Sequence, residues 1–358
     1  MKNLRFLLVV VSLLFGTASV NAKEDFEVDG IYYNIIDYAN SYVEVTYKGD
    51  FDSSFDEYAG DVVIPETVTY ANKTFTVTRI GYLAFCACKN LNSVTIPNSV
   101  TSIVRQAFYC SSITSVKLGG GVKEIGNQAF SDCTNLTSVT IPDNVTSLGD
   151  AVFSYCSNLS SLVIGDGITR IGSYVFCRCK SLVSVIIPDS VTTIGLGAFD
   201  DCSNMTSLII GSGVKIIEAR AFLFCDSLKN IKVFAEVPPV ADSDTFNKFD
   251  AELCVPKQSL TSYQTTAPWS KFKSIRALTD EETGISNVKD YPFEVQAKGG
   301  IINVTGVADG TMVEIYGLNG TKFGEGKSTL NSATINIGQQ PDNIVIVRIG
   351  KKAMKVVL

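Results

Sequence analysis

Apolar residues recur along this chain in two phrases, each rebuilt at a nearly fixed interval over residues 81–233. A phenylalanine marks the interval: Phe85, Phe108, Phe130, Phe153, Phe176, Phe199 and Phe222, in steps of 23, 22, 23, 23, 23 and 23 residues. The first phrase is L-x-x-V-x-I, as in Leu136/Val139/Ile141 and Leu182/Val185/Ile187. Its Val and Ile lie two apart and share one face of a strand, so they point inward and the residue between them points to solvent. The second phrase, V-x-x-I-G, as in Val122/Ile125/Gly126 and Val191/Ile194/Gly195, predicts a second short extended segment on the other side of a coil. The Phe fills the space between the two. A period of this length means a solenoid, in which each unit buries its apolar side only against its neighbours.

The phrases L-x-S-V-x-I-P, V-T-x-I-G and A-F-x-x-C, repeated about seven times, resemble the BspA-like leucine-rich repeats of bacterial surface proteins. With its caps the resemblance covers roughly residues 60–277. It implies a secreted or surface-exposed binding protein, in several members an adhesin for host proteins, with no catalytic residues to carry over. The fold class expected is mainly β with short helical turns. It comprises a leucine-rich-repeat solenoid of about seven 23-residue coils, capped at both ends and followed by a small β-sandwich.

Around the repeats the composition changes. Residues 1–22 read as a secretory signal, with Lys2 and Arg5, an apolar stretch over residues 7–15 and a small-residue site at Val20-Asn21-Ala22. No later segment reads as a membrane-crossing helix. Residues 23–72 alternate apolar and polar positions and form an N-terminal β cap. The solenoid proper spans 73–236, and residues 237–277 with Trp269 close its other end. Residues 278–291 gain charge and lose the period, which marks a linker. Residues 292–358 carry short alternating strands separated by Gly, Asn and Asp turns, as in a sandwich. Their motifs V-E-I-Y-G-L-N-G (313–320) and V-R-I-G-K-K-A-M-K-V-V-L (347–358) resemble the sorting domains of Bacteroidetes secretion.

The ten cysteines change the picture less than an exported chain would suggest. Cys88, Cys110, Cys133, Cys156, Cys179, Cys202 and Cys225 each stand three residues before the residue that opens the next strand phrase. They form a column whose side chains point the same way at about 4.8 Å spacing, whereas a disulfide needs converging Cβ atoms. The column therefore reads as buried free thiols, and a tetrathiolate metal site is not expected. Asp50, Asp52, Ser54 and Asp56 mimic the start of a calcium loop, but Phe55 stands where Gly is required. Asp143, Asp166 and Asp189 form a second column, which suits Pro-Asp and Gly-Asp turns better than a calcium site.

The chain has no histidine and a net charge of −6. That excludes histidine-based catalysis and argues against nucleic acid as a partner. No enzyme, cofactor or metal is expected. The candidate site is the solvent-facing column of the first strand: Thr95, Lys117, Thr140, Val163, Ile186, Ile209 and Lys232. Its middle presents Val163, Ile186 and Ile209, widened by Val183 if that residue also faces out. Such a strip is either a contact surface with an apolar centre or a run of good strand formers. The expected function is an adhesin-like surface or secreted protein engaging a protein or extracellular-matrix-type macromolecule. The rivals are a structural spacer or envelope scaffold, and a carbohydrate-binding accessory module.

Overall fold

The computed structural model describes residues 25–48, 57–279, 282, 294–298, 300–317, 322–330, 332–338, 344–349 and 352–357. The signal segment, the acidic loop over 50–56 and most of the linker lie outside the described residues.

The first phrase folds as short parallel strands stacked coil on coil. Gly60–Val63, Leu91–Thr95, Ser115–Lys117, Ser138–Ile141 and Ser161–Ile164 form one five-stranded sheet. Ser184–Ile187, Ser207–Ile210, Asn230–Val233, Glu252–Val255 and Ser274–Ala277 form another. Val139, Ile141, Val185, Ile187, Leu208 and Ile210 all turn into the core. The second phrase makes a two-residue strand per coil, such as Glu124–Ile125 and Thr193–Ile194, again in parallel register. The coil continues past the regular repeats at both ends, to about nine turns.

A third ladder runs along the Phe side. The amides of Phe108, Phe130, Phe153, Phe176 and Phe199 donate to Ala129, Val152, Val175, Ala198 and Ala221 carbonyls of the next coil at 2.7 to 2.9 Å. This ribbon needs left-handed backbone two residues before and two residues after each Phe. Gln128, Ala151, Tyr174 and Arg220 hold the first position at φ of 53 to 59°; Asp132, Tyr155, Arg178, Asp201 and Phe224 hold the second at 57 to 62°. Each such non-glycine residue costs about 1–2 kcal/mol, which the ladder bonds and the buried Phe rings offset. Those rings form a continuous stack, with centroids 4.7 to 5.6 Å apart from Phe85 to Phe246.

Both ends of the stack are plugged by aromatic residues. Tyr58 lies 4.5 Å from the Phe85 ring and its hydroxyl donates to the Thr46 carbonyl. The N-terminal strands Phe26–Val28, Ile31–Asp37 and Tyr42–Thr46 pair antiparallel, and the last of them joins the second ladder by pairing parallel with Lys73–Ile80. At the other end Trp269 is fully buried, edge-on to Phe246, with its indole N–H donating to the Pro239 carbonyl at 2.8 Å. The helix Leu260–Thr265 brings Tyr263 beside it.

The C-terminal residues make a three-stranded and a four-stranded antiparallel sheet around Ile302, Val304, Val313, Ile315, Val345 and Val347. One strand, Lys322–Lys327, has no apolar alternation. It is admitted by Gly324, where a Cβ would meet Ile335 at 2.8 Å.

Candidate binding face

The first-strand column stands in register across the coils: Thr140 beside Val163, then Ile186, Ile209 and Lys232 on neighbouring strands. The structure does not expose all of it. Val163 is buried, at 8% exposure, between Thr140, its pair on one side, and the strand of Ile186 on the other. The three-residue apolar strip is therefore corrected to two half-buried residues, Ile186 and Ile209, on the solvent side of their strands.

Val183 is the exposed member, at 48%. It interrupts a column of hydroxyls that bond backward to the preceding coil. Thr114 donates to the Asn92 carbonyl, Ser160 to Thr137 and Thr206 to Val183, at 2.9 to 3.2 Å. A Thr or Ser at 183 would continue that ladder; Val presents methyl groups instead.

The flanking lysines differ. Lys117 is exposed. Lys232 is half-buried and lies 3.2 Å from Glu282, which also takes the Arg276 guanidinium through two bonds of 2.7 and 3.0 Å. These cations hold the Glu282 carboxyl well below the usual carboxylate range. The chain thus folds its own acid over this end of the column and seals Cys254 beneath it, where burial pushes the thiol up to about 11.

The cysteine column needs one correction. Cys88, Cys133, Cys156, Cys179, Cys202 and Cys225 are buried, but Cys110 is exposed. Its repeat is one residue short between Phe108 and the next strand, so counting from the Phe puts Ser111 in the column. Cys110 takes the left-handed position occupied elsewhere by Asp132 and Tyr155. The buried thiols of Cys133, Cys156, Cys179, Cys202 and Cys225 each donate to the carbonyl of the preceding coil's Phe at 3.0 to 3.2 Å. That bond, with burial, explains a thiol there better than a methyl group would.

The aspartate column also has a local role. The Asp143 carboxylate accepts the Asp166 amide, and that of Asp189 accepts the Ser212 amide, as an Asx ladder along the turn. Among the described residues no group of three His, Cys, Asp or Glu is placed to hold a metal. Two exposed aromatics escaped the sequence reading: Tyr155 and Phe224, on the Phe side, with the Arg178 guanidinium over the Tyr155 ring at 4.8 Å. The left-handed positions that carry them become visible only once the third ladder is known.

The model of the BspA type leucine-rich repeat region matches in six copies, over residues 66–180 and 147–267. No curated protein matches. A leucine-rich repeat protein of T. pallidum is similar at 25% identity and TM-score 0.49, over 57% of this chain and 91% of that one. One from Bacteroides ovatus gives 22% and 0.35, over 71% and 76%. A leucine-rich cell surface protein of Faecalibacterium prausnitzii gives 20% and 0.39, over 74% and 96%.

Proposed function

The chain belongs to the BspA-type leucine-rich repeat family, and on that premise we propose that it is a secreted or cell-surface, adhesin-like protein whose solenoid face engages a macromolecular partner. Solenoids present extended, preformed surfaces that suit such binding. Among the described residues no helix is long and apolar enough to cross a membrane. Residues 1–22 would direct export, and the C-terminal module would serve sorting or attachment.

The observation that carries the reading is Val183. An exposed Val that interrupts a hydroxyl ladder, beside Ile186 and Ile209, is an apolar centre within a polar rim. Lys117 lies on the rim; Lys232 is taken up by Glu282. Val183→Asp tests the reading against an array of extracellular host proteins and glycans. The exposed position should keep stability within about 0.5 kcal/mol while the best-binding protein on the array is lost. Retention of that binding with an unchanged melting temperature would move the site off this face. A glycan as the only ligand would favour the carbohydrate module, and no ligand at all the spacer.

A further inference from the structure

Both strand ladders lose their backbone pairing at the same coil boundary, although the strands stay side by side and one apolar core runs through it. The second-phrase sheet ends at Ser147–Leu148 and resumes as a separate sheet at Arg170–Ile171. The first-phrase sheet ends at Ser161–Ile164 and resumes at Ser184–Ile187. The Phe-side ladder crosses the same boundary intact: the amides of Ala151, Phe153 and Tyr155 donate to Ser173, Val175 and Cys177 at 2.8 Å. At this boundary the Phe stack reaches its widest ring spacing, 5.6 Å between Phe153 and Phe176.

Proline removes one rung of the first ladder at this boundary. In neighbouring coils the residue after the strand is Gly, and its amide closes the ladder: Gly165 donates to Ile141 at 2.9 Å and Gly211 to Ile187 at 3.0 Å. At the divided boundary that residue is Pro188, which has no N–H to offer Ile164. Pro142 weakens an earlier pair in the same way, leaving only Ser115 and Ser138 in register. No proline stands on the second ladder's side of the division.

From this geometry we infer that the solenoid is two rigid ladder bodies hinged along the Phe side between the coils of Phe153 and Phe176, and that opening the seam uncovers Val163 beside Ile186. One continuous ladder and two divided ones restrict the motion to a rotation about the continuous side. Val163 pairs with Thr140 within its own body, while its other flank faces the strand of Ile186 across the seam. Opening removes that second cover and enlarges the apolar centre formed by Val183, Ile186 and Ile209. A partner with an apolar surface would then bind the open form better and shift the population toward it. This last consequence rests on the binding role proposed above; the hinge does not.

Two measurements on the full chain test the hinge without any partner. In hydrogen exchange, amides of residues 161–164 and 184–187, the two strands that border the seam, should exchange faster than the equivalent amides of 207–210, which are paired on both sides. In a Cys110→Ser background, Val163→Cys should react with a maleimide severalfold faster than the core thiol Cys156. Pro188→Ala, which restores the missing N–H, should slow that labelling. Exchange at the two bordering strands equal to that at 207–210, labelling no faster than Cys156, or labelling that Pro188→Ala leaves unchanged would each overturn the seam. None of these outcomes bears on Val183→Asp, so the two readings fail separately.

Discussion

Phe153→Ala is the sharpest probe of what holds the coils together. Phe153 is fully buried, with its ring 5.3 Å from that of Phe130 and 5.6 Å from that of Phe176, inclined by 9° and 2°. Removing a buried Phe side chain costs about 3–5 kcal/mol. Two aromatic neighbours are lost together, each pair worth about 0.5–1.5 kcal/mol beyond area. The Phe-side ladder holds the neighbouring backbones in register, which limits how far the coils can close on the gap. The expected cost is therefore at the top of the range, about 4–5 kcal/mol, against a total of about 5–15 kcal/mol for a typical domain. Phe153→Leu keeps an apolar side chain but not the stack, and should cost clearly less, about 1–3 kcal/mol. Urea unfolding followed by circular dichroism measures both, and hydrogen exchange locates the damage. Because coils contact only neighbours, protection should fall first between the coils of Phe130 and Phe176. A Leu midpoint equal to that of the unaltered protein would refute stacking as a contributor, and an unchanged midpoint for Ala would refute the anchor.

The thiols give a second expectation: in native protein Cys110 should react with a thiol reagent while the other nine wait for unfolding. If several remain unreactive after denaturation without reductant, the column is bridged. The same thiols make stability depend on alkaline pH. Burial holds Cys133 up to about 12 and Cys177 to about 11, against an ordinary value of 9.0. Above the ordinary value the unfolded chain has lost protons that the folded chain keeps, so stability should decline between about pH 9 and 12; a flat urea midpoint across that window would count against buried, protonated thiols. Third, Gln128 is exposed at φ 57°, so Gln128→Gly should raise stability by up to about 1 kcal/mol, the relief of a left-handed side chain less the entropy of glycine. The control Glu124→Gly, in a strand, should lower it.

Much of this architecture was legible because the chain repeats one physical solution. Seven copies of an inward Val/Ile pair and a Phe anchor leave few ways to bury them other than a stack of coils. The Phe-side ladder was not legible. Its bonds are made by backbone, and its left-handed residues are as varied as Gln128, Tyr174 and Arg220, so side-chain pattern carries no trace of it. The cap strands Glu252–Val255 and Ser274–Ala277 still pair in parallel with the coil before them, but the spacing and the strand phrase are altered, so they read as closure rather than as further turns.

The two corrected residues fail for one reason: a column read from sequence assumes that every coil is built alike. Cys110 keeps its distance from the next strand but not from its Phe. The structure follows the Phe, because the ladder amides at Phe108 and Cys110 bind the next coil's backbone while the turn before the strand absorbs the missing residue. Val163 obeys the strand's alternation, yet its exposure depends on side chains one coil away, which alternation does not describe. In a solenoid the direction of a side chain is a property of its own repeat, whereas its access to a partner belongs to the pair of coils on either side. That is why the binding face proposed here rests on Val183, where one coil departs from its neighbours in chemistry.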